Sequence, residues 1–175
     1  MKGFLTAIAL ALSLSAMAEM TPEQARADIK SLLNFAVIKG EVIDTPTHRY
    51  NVTLFRSETA QDLTVAMYSP LYEVSHGLVR ERGSEEVIRI LIGNNTYMIR
   101  KTEAVQGGLT VVTYKLRNRR SLEYRGEFVS KQELQIFTRA NGRLVRIIAK
   151  VEEPGDGYSY SRIFEPKEWQ HPTRL

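Results

Sequence analysis

The sequence predicts an α+β protein, mainly antiparallel β: a strongly curved sheet or incomplete barrel with one N-terminal amphipathic helix packed on its concave side. Three observations lead there. Helical spacing of apolar residues is confined to one short stretch near the N-terminus. After Gly40 the apolar period changes to two and stays there. No βαβ alternation, internal repeat or low-complexity segment breaks that order. An antiparallel sheet of roughly eight or nine strands must curl, and it tolerates water on one face. A full lipocalin-like barrel is the alternative architecture.

The chain begins MKGFLTAIALALSLSAMA. Lys2 supplies the charged start, residues 4–14 form a mostly apolar run, and Ala16-Met17-Ala18 is a small-x-small cleavage pattern. This is the layout of a secretory signal peptide, with cleavage expected after Ala18. The apolar run is shorter than the roughly 20 residues of a spanning helix, so a membrane anchor is not expected. Residues 19–164 are expected to form one β-rich domain with its helix, and residues 165–175, which hold two prolines, a loosely held tail. The expected location is the periplasm or the medium.

Composition narrows the classes. The chain has 175 residues, no cysteine, 43% hydrophobic and 25% charged residues, which is ordinary for a globular protein. Without cysteine there is no disulfide framework, thiolate nucleophile or cysteine-ligated metal. Removing residues 1–18 takes away one lysine and no acid, leaving 23 basic and 20 acidic groups. That mild positive charge is no nucleic-acid signature.

Thr21-Pro22-Glu23-Gln24 reads as a helix start: Thr21 as N-cap, Pro22 at the first helical position, and Gln24 closing a capping box. Ala25, Ile29, Leu32, Leu33 and Ala36 recur at helical spacing, which predicts an amphipathic helix over 22–35. Alternating runs then centre on Tyr50–Phe55, Leu63–Tyr68, 87–92, 96–100, 109–116 and 122–129. The stretch 71–80 is weaker. Gly93-Asn94-Asn95 reads as a hairpin turn, and Gly107-Gly108 as a turn before a strand.

The clearest local object is 132–151. Asn141-Gly142 suits a two-residue type I′ turn, which would pair Ala140 with Arg143. That register sets Leu134 against Ala149, Ile136 against Ile147 and Thr138 against Val145 on one side. Glu133–Lys150, Gln135–Ile148, Phe137–Arg146 and Arg139–Leu144 take the other. Residues 154–157 make the next turn, and Tyr158, Tyr160, Arg162 and Phe164 alternate in a final strand.

Motifs of catalysis are missing. The histidines His48, His76 and His171 form no His-x-x-x-His unit, and there is no G-x-S-x-G, S-x-x-K or phosphate-cradling glycine loop. Glu85-Glu86 and Glu152-Glu153 are adjacent acids at strand ends, where solvation is the ordinary state. Lys115, Arg117, Arg119 and Arg120 form the densest basic cluster and are the anion-binding candidate, set against a plain solvated loop. Tyrosines 114, 124, 158 and 160 either line a pocket or pack a sheet.

Residues 86–100, EVIRILIGNNTYMIR, place an apolar strand, a short Asn-containing turn and an aromatic-containing strand in succession. With the signal peptide, the short helix, Asn141-Gly142-Arg143-Leu144 and the strand 158–164, this order resembles the periplasmic lipoprotein-carrier (LolA/LolB-like) family. The resemblance implies a half-barrel whose apolar lining holds acyl chains, and it carries over no residue role. The expected function is therefore a non-enzymatic, exported binder or carrier of a lipid or lipoprotein acyl chain. The alternative is an envelope interaction module that binds a protein or an anionic polymer through a basic sheet face. No cofactor, metal or nucleic acid is expected. The carrier reading weakens if Ile29, Leu32 and Leu33 fill the interior.

Overall fold

The computed structural model describes residues 17–122, 126–153 and 158–167. A short strand β1 (Ala18–Glu19) precedes helix α1 (Pro22–Leu32). Nine strands follow: β2 (Val37–Thr45), β3 (His48–Glu58), β4 (Leu63–Ser75), β5 (Leu78–Ile92), β6 (Thr96–Gln106), β7 (Leu109–Leu122), β8 (Gly126–Thr138), β9 (Leu144–Glu153) and β10 (Tyr158–Pro166). All ten lie in one antiparallel sheet of order β1-β6-β7-β8-β9-β10-β2-β3-β4-β5. The sheet is open: β1 and β5 are its edges. The closed lipocalin-like alternative is thereby excluded.

The helix starts as its residues dictate. Thr21 Oγ1 accepts from the Gln24 amide at 3.2 Å, and Gln24 Oε1 accepts from the Thr21 amide at 2.9 Å. It stops at Leu32, three residues before the expected end. The Leu33 N–H still bonds the Ile29 carbonyl, but the chain then leaves the helix, and Val37-Ile38 opens β2. Phe35 gives its carbonyl to Arg56 Nε at 2.8 Å instead of to a helical turn. β-branched residues joining a pre-existing strand outweigh the weak propensity of one more turn.

One face of the sheet carries the core. Ile38, Leu54, Leu63, Ile90, Leu134, Ile136, Ile147 and Phe164 are all buried there, with Ala25 and Ile29 of α1 and its C-cap Leu33 in the same cluster. The helix is tied to strands far apart in the sheet order. Asp28 meets Lys101 of β6 at 2.6 Å and accepts a hydrogen bond from Tyr114 of β7. On its other flank Lys30 meets Glu58 of β3 at 2.7 Å, and Arg26 donates to the Ala60 carbonyl at 3.2 Å.

Three turns differ from expectation. Gly93-Asn94-Asn95 does join β5 to β6, but those strands are not neighbours; they belong to opposite ends of the sheet order. The segment 86–100 is therefore a corner and not a hairpin. A tight turn alone does not make two strands pair when each has a better partner: β5 has β4 along thirteen residue pairs.

The unmarked stretch 71–80 is the real hairpin. Its turn residues His76 (φ 53°) and Gly77 (φ 77°) are both left-handed, the geometry a type I′ turn demands. Histidine there hides the usual Asn-Gly signal.

At Asn141-Gly142 only Gly142 is left-handed (φ 80°), and the Gly142 N–H bonds the Arg139 carbonyl. This is a type I turn with a glycine bulge. The inner register is as read, with Leu134↔Ala149, Ile136↔Ile147 and Glu133↔Lys150. The bulge pairs Thr138 with Leu144, so Leu144 and not Val145 enters the core.

The last strand also runs further than read. Glu165 and Pro166 pair with Glu41 and Gly40, and Glu165 is bound by Arg146 at 2.6 Å. Residues 1–16 of the expected signal peptide, the turn at 154–157 and residues 168–175 lie outside the described residues.

Candidate functional site

The basic cluster is built on a strand. Lys115, Arg117, Arg119 and Arg120 belong to β7 and not to a loop; Lys115 and Arg117 are paired with β6 and β8, Arg119 and Arg120 with β8 alone. Alternation then sorts them. Tyr114, Leu116 and Asn118 point into the core, so Lys115, Arg117 and Arg119 share the outer face. Arg120 falls out of phase with them and binds Glu153 of β9 at 2.7 Å. Three of the four candidates are brought together and one is not.

The sheet adds cations that lie far away in sequence. Arg100 of β6 stands directly opposite Lys115, and Lys131 of β8 directly opposite Arg117. Like charges in directly opposed positions are unfavourable in a sheet. Acids flank the row: Glu133 stands directly opposite Lys115 on β8, and two others pair with Arg100 and Lys131. Glu19 meets Arg100 at 3.8 Å, Glu152 meets Lys131 at 3.2 Å, and Glu133 meets Lys150 at 3.4 Å. The central pair, Lys115 and Arg117, has no ion pair among the described residues. A shallow groove of about 260 Å³ runs over these side chains, with Met98 at one end and Ser159 at the other. Arg119 closes the row by lying over the Tyr97 ring at 5.1 Å.

A second, polar cleft of about 290 Å³ lies between β5 and the core side of β7–β10. Gln132 accepts from the Leu91 amide at 3.0 Å, and Asn118 donates to the Leu91 carbonyl at 2.8 Å. Asn118 is buried, and its own Oδ1 has no partner. Two side-chain amides thus complete the main-chain bonding of Leu91 where no strand pairs with the outer edge of β5.

The other candidates take structural places. Tyr114 is fully buried; burial first, and then its bond to Asp28, push its phenol well above the usual range. Tyr160 packs against the core. Tyr124 and the side chain of Tyr158 lie outside the described residues. His48 and His76 are exposed at the ends of strands, and His171 is not described. Glu86 binds Arg89 at 2.5 Å and accepts from Tyr68. Among the described residues no three His, Asp or Glu side chains gather as metal ligands, and no helix is long and apolar enough to cross a membrane.

Sequence spacing alone missed Arg100 and Lys131. The alternation Lys115-x-Arg117-x-Arg119 was available as a signal that these three share a face.

The fold and its outer groove define a single-sheet antiparallel β-protein with a cationic sheet face. No protein-family model, curated protein or solved structure matches the chain.

Proposed function

We propose that this protein is an exported, non-enzymatic interaction module of the bacterial cell envelope, and that it binds an anionic partner on the outer face of β6–β9. One observation carries the reading: Lys115 and Arg117 form no ion pair among the described residues and stand across the sheet from Arg100 and Lys131, while Glu133, which faces Lys115 on β8, is bound to Lys150. An anion bound between the strands supplies the counter-charge that Lys115 and Arg117 lack. The groove is open and shallow, which suits an extended polymer or an acidic protein segment.

The test is binding of fluorescently labelled dextran sulfate. Affinity falls steeply as salt is raised, because the cations are exposed and screened. Lys115→Ala/Arg117→Ala loses binding, whereas Arg120→Ala keeps it. Salt-insensitive binding, or equal loss in both variants, would overturn the reading.

A carrier of acyl chains is the second reading. It is supported by an apolar face that continues across most of an open sheet under a single helix of eleven residues. In this reading the sheet curves about α1, which lies on the concave side as a removable plug. Ile29 and Leu33 are fully buried, so a lipid would have to displace them, which sets this reading behind the first. Native mass spectrometry of protein purified from its host envelope decides it: a co-purifying lipid mass supports a carrier.

A further inference from the structure

We propose that the polar cleft between β5 and the core side of β7–β10 binds a neutral, hydroxyl-rich ring, a sugar of the pyranose class. The assignment starts from Asn118. Its side-chain nitrogen donates to the Leu91 carbonyl at 2.8 Å, which fixes the orientation of the amide. The oxygen Oδ1 is thereby turned away from Leu91. It belongs to a residue only 2% exposed, on the wall of the cleft, and it accepts no hydrogen bond. A buried acceptor is costly until a donor reaches it.

Gln132 supplies the opposite group, diagonally across from Asn118 on β8. Its Oε1 accepts from the Leu91 amide at 3.0 Å, so its nitrogen remains as a donor. An open acceptor beside a donor is the pattern a hydroxyl matches, because a hydroxyl both gives and accepts. An anion such as sulfate offers acceptors alone and is repelled by Oδ1.

The charges around the cleft are balanced within the protein. Arg120 meets Glu153 at 2.7 Å, and Arg89 meets Glu86 at 2.5 Å. Arg119 turns its guanidinium over the Tyr97 ring. Such pairs keep spare donors and acceptors, which suits a ligand with several hydroxyls and no charge. Leu91, Val151 and Tyr160 form the apolar part of the wall, against which the C–H face of a sugar packs. The cleft holds about 290 Å³, whereas one water takes about 30 Å³. A single bridging water would satisfy Asn118 and leave most of that space unused. This inference does not depend on the basic groove, which lies on the other face of the sheet.

The experiment is a titration of the isotope-labelled protein followed by amide NMR. The methyl glycosides of glucose, galactose and N-acetylglucosamine are added singly to millimolar concentration. At least one is expected to shift the Asn118 side-chain amide and the Leu91 main-chain amide saturably, while the core amide of Ile147 stays still. Sodium sulfate is expected to move neither. Asn118→Leu is expected to abolish the saturable shift at Leu91. That change also removes the tie to Leu91, so the exposed Arg120→Ala is the second variant. It is expected to keep the fold and to weaken sugar binding about tenfold, the loss of one hydrogen bond. Lys115→Ala/Arg117→Ala is expected to bind sugar as the wild type does. If none of the three glycosides gives a saturable shift, water alone fills the cleft and the proposal fails. It fails equally if sulfate moves the same signals, or if a folded Asn118→Leu or Arg120→Ala binds sugar unchanged.

Discussion

Tyr114 on β7 donates its phenolic hydrogen to the carboxylate of Asp28 on α1, and this bond is the deepest polar contact between helix and sheet. Asp28 also meets Lys101, so a single carboxylate ties α1 to two strands. Removing it leaves a fully buried hydroxyl unpaired and a half-buried lysine without its counter-ion. Asp28→Ala is expected to lower stability by about 1–3 kcal/mol. Urea unfolding checks this, and Asp28→Asn should recover part of the loss because its amide oxygen still accepts.

The same contact sets a response to alkali. Burial, with the Asp28 bond second, raises the Tyr114 phenol above its unfolded value. A group raised on folding contributes its stability in full below the unfolded value, near pH 10, and loses it as the pH climbs towards the folded value. Stability should therefore fall above about pH 10. Tyr114→Phe is expected to be less stable at neutral pH but to show a flatter alkaline decline. Equal slopes in the two proteins would refute the assignment.

Leu91 offers a local measurement. Its amide is held by Gln132 and its carbonyl by Asn118, both from strands that do not pair with β5. Gln132→Ala frees the N–H and should speed hydrogen exchange at Leu91, while the exchange of core amides near Ile147 stays unchanged. The difference between the two sites is diagnostic, since global destabilisation would move both.

Much of the fold was legible in the residues; turn types and the end of α1 were off by a residue or a few, and the larger failures share one cause. The capping box at Thr21 and Gln24 is local, and it was read correctly. So was the core register of the 132–151 hairpin, where turn chemistry and alternation agree. What local pattern does not carry is which strands become neighbours. Gly93-Asn94-Asn95 reads as a hairpin because it is a tight turn, yet the sheet sends β5 and β6 to opposite ends of its order. The basic site divides in the same way. Alternation within β7 already separates Lys115, Arg117 and Arg119 from Arg120, but Arg100 and Lys131 join them only through pairing across the sheet.

That pairing makes the cationic row a place where binding and stability oppose each other. Lys115→Gln removes one like-charge contact with Arg100, worth about 0.2–1 kcal/mol, although it gives up the facing Glu133 as well. Stability should stay the same or rise slightly, while dextran sulfate affinity drops. A site kept for packing would show the reverse, since truncating a structural residue destabilises.

Gly40 tests the packing of the core itself. It sits in β2 at a position where a Cβ would come within 2.4 Å of the Phe164 ring and of the Glu165 carbonyl oxygen. Contacts that short do not exist, so Gly40→Ala must push β10 away from β2 or turn Phe164 out of its place. The sequence marks Gly40 only as the point where helical spacing gives way to alternation; the structure shows that the missing side chain is the space an aromatic ring occupies. Gly40→Ala is expected to cost about 1–3 kcal/mol, the usual range for overpacking. Phe164→Leu alone should also destabilise, by opening a void. Combined, the two should cost less than their separate effects added together, because the smaller side chain makes room for the new methyl. Additive losses in a urea double-mutant cycle would show that the glycine is needed for a reason other than the ring.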